Sequence, residues 1–152
     1  MSNPLQHLKD RFKDKLKSEE GELKPIESSP EILGEQYFSC GVITGHRKNQ
    51  IFIALEKEGQ VAFCAEMMIH CVMDSNRERQ FEPGSRRQLM NECESTDIET
   101  IAGEISQVIF GTDDIEQVIL NESMSEAVVG SKGDSRTGEE RAAAKNLKKT
   151  SN

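Results

Sequence analysis

One stretch constrains this chain more than any other. Between Val61 and Met73, the residues Val61, Ala62, Phe63, Cys64, Ala65, Met67, Met68, Ile69, Cys71, Val72 and Met73 are apolar, and only Glu66 and His70 interrupt them. Wound into a helix, such a segment is apolar nearly all round, so other elements have to cover it on every side. It is far shorter than the ~18–20 residues that span a bilayer. Its place is therefore predicted to be the centre of a helical bundle. Its Met residues have two readings, as fillers of irregular core gaps or as an adaptable surface for an apolar partner.

Flanking segments supply the cover. Ile51, Phe52 and Leu55 alternate with Arg47, Lys48, Gln50, Glu56 and Lys57, which predicts an amphipathic helix at about 46–57. Ser85 is placed to cap a short helix carrying Leu89 and Met90. Thr96 and Glu99 have capping-box spacing, and Ile98, Ile101, Ala102, Ile105, Val108 and Ile109 follow at helical intervals, with Gly111 as the stop. Thr112-Asp113-Asp114 then begins a further turn or helix with Ile115, Val118, Ile119 and Leu120. Phe81, alone among charges, is expected to fold back and anchor its loop.

Before the bundle, Tyr37–Ile43 is rich in β-formers and reads as a short extended segment or strand. Residues 18–34 hold two Pro, two Gly and a run of Ser and Glu, so they read as a linker with little regular structure. Ahead of them, Leu5, Leu8, Phe12 and Leu16 place one narrow apolar stripe on a helix over Asn3–Lys17. Either the stripe packs on the body or it grips a partner. From about Ser123 large apolar residues become few, and AAAKNLKKTSN closes the chain, so the tail is expected to be disordered. The fold class that follows is mainly α, a small helical bundle with a short extended or β segment and disordered termini. Its 152 residues are organised as an arm and linker over 1–34, a helical domain over 35–122 and a charged tail over 123–152.

Charge narrows the function classes. The net charge is −8, and residues 25–124 carry eighteen Asp/Glu against seven Lys/Arg, while both ends are mildly basic. Nucleic-acid affinity comes largely from Lys/Arg neutralising phosphates, so direct DNA or RNA binding by the core is not expected. The N-terminus lacks an apolar secretory region, so a cytoplasmic protein with no membrane association is expected, and its four cysteines are expected to be free thiols.

Candidate chemistry is sparse. Cys64, His70 and Cys71, with Cys40, Cys93 or His46 as a fourth ligand, form the only plausible metal cluster in the sequence, yet ligands at tight x₂₋₄ spacing are missing. A Cys71–His70 nucleophilic pair is equally poor, because neighbours on a helix point ~100° apart. Gly130, Gly133 and Gly138 lack phosphate-loop spacing. No cofactor and no catalysis are expected. Glu92, Glu94, Asp97 and Glu99 gather around a helix start, either as a solvated face or as a patch for a basic partner.

The order from Phe63 to Gly111, FCAEMMIHCVMDSNRERQFEPGSRRQLMNECESTDIETIAGEISQVIFG, resembles the tail assembly chaperones of long-tailed bacteriophages. The shared pattern is a central apolar helix ending in an acidic turn (Ala65–Asp74), a lone aromatic (Phe81), a small helix with a Leu (Leu89) and an Ile-rich amphipathic helix (Ile98–Ile109). Gly45–Leu55, Tyr37–Ile43 and Ala142–Lys149 also look similar, so the likeness runs over roughly 35–149, by pattern more than by identity.

The resemblance implies a helical, non-enzymatic protein of the infected cell's cytoplasm. It would coat the tape measure protein, recruit tail tube subunits and be absent from the finished virion. A groove for the partner would involve Phe63, Met67, Met68, Ile101, Ile105 and Ile109, with ordinary core as the alternative reading of each. Self-association stays open. The competing class is a small acidic regulatory or inhibitor protein that occupies a basic surface on a host or nucleic-acid enzyme.

Overall fold

The computed structural model describes residues 3–122, and the chain divides into two compact units, Met1–Ile115 and Glu116–Asn152. The expected tail over 123–152, and with it the similarity at Ala142–Lys149, lies outside the described residues. Of the second unit, residues 116–122 are described and are helical.

The first unit is mainly α. Its helices are α1 (Pro4–Lys17), α2 (Ser29–Leu33), α3 (Gly45–Glu58), α4 (Gln60–Cys71), α5 (Arg86–Glu92) and α6 (Ser95–Phe110), with two short strands, β1 (Lys24–Pro25) and β2 (Phe38–Ser39). The all-round apolar α4 is the centre: α3, α5 and α6 all pack on it, and Ala62, Phe63, Cys64, Ala65 and Met67 have no exposed surface at all. Ile51 and Ala54 of α3 and Ile98, Ile101, Ala102 and Ile105 of α6 close over it. Phe52 joins them edge-on, its ring 5.1 Å from Phe63 and 6.1 Å from Phe110. Fully burying each such side chain is worth about 1.5–3 kcal/mol, so the cover of α4 dominates stability.

The apolar run leaves the helix earlier than its pattern predicts. α4 ends at Cys71, and Val72 and Met73 are extended. Met73 exchanges backbone hydrogen bonds with Phe38 and bridges on its other side to Arg79. Backbone pairing with β2 outcompetes two more residues of helix. Asp74 then turns the chain, its Oδ1 accepting from the Asn76 and Glu78 amides.

Residues 18–34 are not a structureless linker. Ile26 and Ser29 are buried as deeply as the core, β1 pairs antiparallel with β2, and the Ser28 amide and hydroxyl both donate to the Glu104 carboxylate of α6. The prolines that suggested a linker occupy places that tolerate them, Pro25 in an edge strand and Pro30 in the first turn of α2. Nor does α6 use the Thr96–Glu99 box. The helix starts at Ser95 after Glu94, with no side-chain cap, because α5 ends at Glu92 and only a two-residue corner separates the two helices.

Candidate functional site

The groove proposed from sequence is core. Phe63, Met67, Met68, Ile101 and Ile105 are at most 2% exposed, and Ile109 is half-buried. The structure brings these residues together, but against one another, because α3 and α6 lie on the faces of α4 that a partner would need. Helical spacing alone cannot distinguish a stripe that meets a neighbour in the same chain from one that meets a partner.

Among the described residues, α1 is a surface feature that the fold leaves largely uncovered. Its start is well built: Asn3 Oδ1 accepts from the Leu5 and Gln6 amides, Pro4 is in the first turn, and Lys15 and Lys17 sit at the C-terminal end, where the helix dipole favours cations. No residue of α1 is buried, and Leu5 and Leu8 are 60% and 65% exposed. At about 100° per residue, Leu5, Leu8, Phe12 and Leu16 share roughly one quarter of the circumference. Lys9 and Lys15 border that stripe on either side, Arg11 and Lys13 lie next to them, and Asp10 and Asp14 fall on the opposite face. The stripe runs at Leu16 into an open hollow lined also by Ser18, Glu19, Leu23 and Arg77.

A second constellation surrounds the two polar positions of α4. Arg86 of α5 holds Glu66 at 3.2 Å and Glu58 at 3.4 Å. Glu66 Oε1 lies 3.2 Å from His70 Nε2, and Arg47 Nη1 donates to His70 Nδ1 at 3.0 Å. A guanidinium only donates, so Nδ1 accepts and the ring proton is on Nε2, facing Glu66. Burial first, then the charges of Arg47, Arg79 and His46, push the His70 pKa down from its ordinary 6.5 to about 4. Burial also pushes the Glu66 carboxyl up, against the pull of Arg86. Arg79 reaches the same turn from the extended segment, its Nε donating to the His70 carbonyl at 2.8 Å.

The cysteines are not placed as nucleophiles. Burial pushes Cys64 and Cys71 up to about 12, so both stay thiols at neutral pH. Cys40 is buried as well, and Cys93 is exposed. Among the described residues no group of three His, Cys, Asp or Glu side chains is arranged to hold a metal ion, and no helix is long and apolar enough to cross a membrane. The meeting of Arg47 and Arg79 at His70 escaped sequence reasoning, since the three come from different segments. One signal was legible: His46, Arg47 and Lys48 open α3 with no acid in its first turn, where the dipole disfavours cations.

No family model, curated protein or solved structure matches the chain.

Proposed function

We propose that this chain is a non-catalytic binding protein serving as a tail assembly chaperone, which shields an apolar helical face of a tape measure protein in the infected cell's cytoplasm and recruits tail tube subunits. The observation that carries the binding reading is α1: a capped helix whose apolar stripe is exposed at Leu5 and Leu8, half-buried at Phe12 and Leu16, and bordered by cations on both sides. Such a helix fits a partner helix with an apolar seam and acidic flanks, where burial supplies affinity and charge sets register. The tape measure partner rests on the pattern shared between Phe63 and Gly111. The α4 and α6 positions act in this reading as the core of the bundle, and α1, which packs on the turn Glu19–Gly21, replaces them as the partner surface.

Co-expression with the tape measure protein of the same genome tests it. A soluble complex that elutes together, with several copies of this chain per partner, is the expected result. A partner that stays insoluble, with no complex, rejects the reading. It would turn attention to the acidic inhibitor class, which Glu92, Glu94 and Asp97 favour: all three are exposed where α5 gives way to α6, and none takes part in an ion pair among the described residues.

A further inference from the structure

We infer that Arg47 and Arg79, converging on His70, form a binding site for a compact phosphate-type anion. In a chain of net charge −8 these two guanidiniums meet at one residue. None of the ion pairs among the described residues involves either of them. Arg47 spends one N–H on His70 Nδ1 and Arg79 spends Nε on the His70 carbonyl, which leaves most of their donors unspent on two forks held around one residue. The two like charges oppose each other, and Arg47 lowers the Arg79 pKa in addition to the effect of burial. An anion between them would relieve that repulsion and satisfy the open donors together.

The site is positioned from the core. His70 cannot swing freely, because Nε2 faces the buried Glu66, which is itself tied to Arg86. Arg47 is thus aimed by a chain of contacts running through α4 to α5. Arg79 is aimed by its backbone bridge to Met73. His70 is a positioning residue here: its Nδ1 is already engaged, and it meets no anion directly.

Two features select the ligand. A planar carboxylate is satisfied by a single guanidinium fork, whereas two forks arriving from separate elements suit the several oxygens of a tetrahedral phosphate group. The net charge of −8 on the chain repels an extended polyanion, so the occupant is a single phosphate group, free or on a small molecule, and not a nucleic-acid backbone.

The full chain is titrated with inorganic phosphate, with glycerol phosphate and with acetate, at constant ionic strength, following the Arg side-chain N–H signals and the His70 ring by NMR and the heat by calorimetry. Saturable one-site binding of phosphate, with shifts centred on Arg47, His70 and Arg79 and none with acetate, is expected. Stronger binding of glycerol phosphate than of inorganic phosphate would assign the site to a phosphate monoester, and the reverse order to free phosphate; either supports the site. Arg47→Ala and Arg79→Gln should each weaken binding about tenfold or more while leaving the amide spectrum folded. Arg87→Ala, at an exposed arginine away from this cluster, should change nothing. Absence of saturation overturns the proposal, as does acetate binding equal to phosphate, or an Arg87→Ala loss equal to that of Arg47→Ala.

Discussion

Ser28 and Glu104 are separated by 76 positions, yet the Ser28 amide donates to the Glu104 carboxylate at 3.2 Å and 3.3 Å from its two oxygens, with the hydroxyl donating as well. The contact clamps the start of α2 to the middle of α6. A hydrogen bond to a charged group contributes about 1.5–3 kcal/mol, so Glu104→Ala is expected to cost about 2 kcal/mol in urea unfolding, and Glu104→Gln less. No loss in either variant would mean that residues 24–39 are held by Ile26, the β1–β2 pairing and the Phe38–Met73 bridge without help from Glu104.

That contact also marks where sequence reasoning stopped. The apolar periods of α3, α4 and α6 read correctly because each follows from local spacing and from the need to cover Phe63 and Met67. Residues 18–34 were misread because Pro, Ser and Gly signal a break in periodicity without saying whether the broken segment lies on the body. Ser28 meeting Glu104, and Ile26 filling the core, depend on partners far away in the chain. Arg79 is only nine positions from His70, and their meeting was hidden because the chain leaves α4 and turns back at Asp74. At α1 the stripe was legible and its partner was not, since an apolar face reads identically whether covered or bare.

Gly21 fixes how α1 joins the body. A Cβ there would sit 2.4 Å from the Leu16 Cα and 2.5 Å from the Lys15 and Leu16 carbonyl oxygens, all of them backbone atoms that cannot rotate away. Arg77 Nη2 donates to the Gly21 carbonyl at 2.7 Å, which pins the same turn from the other side. Gly21→Ala should therefore cost about 1–3 kcal/mol, the usual range for forced overpacking. Gly84→Ala, with open space around the site, should stay within about 0.5 kcal/mol. Equal thermal midpoints for the two variants would show that the α1 junction yields freely.

Leu8 is exposed and Met67 is core, so the two separate the proposed binding stripe from the bundle interior. Leu8→Asp changes an exposed position and should leave stability within about 0.5 kcal/mol. If the proposed function holds, it should nonetheless abolish capture of the tape measure protein, because it puts a charge in the middle of the stripe. Met67→Asp buries a carboxylate with no partner among Phe63, Ile101 and Ile105, and should unfold the domain in circular dichroism. Undiminished capture by a folded Leu8→Asp variant would remove α1 from the partner surface.

His70 gives stability a definite pH dependence. Its pKa falls from 6.5 to about 4 in the fold, through burial and then through Arg47, Arg79 and His46, while Glu66 faces its other ring nitrogen. Between those values the unfolded chain binds a proton that the folded chain does not, so stability is lost as pH falls through this window. At 1.36 kcal/mol per unit the loss from this group is about 3 kcal/mol at most. Glu66 acts in the opposite direction: its raised carboxyl holds a proton more tightly in the fold than out of it, which favours the fold as pH drops and offsets part of the His70 loss. His70 by itself predicts a declining urea midpoint from about pH 7 to about pH 4, and Glu66 opposes that decline. Arg47→Gln removes one of the cations that depress His70, so its ring should titrate at higher pH by NMR and the decline should flatten. An unchanged His70 titration in Arg47→Gln would show that Arg47 takes no part in setting the imidazole pKa, leaving burial, Arg79 and His46.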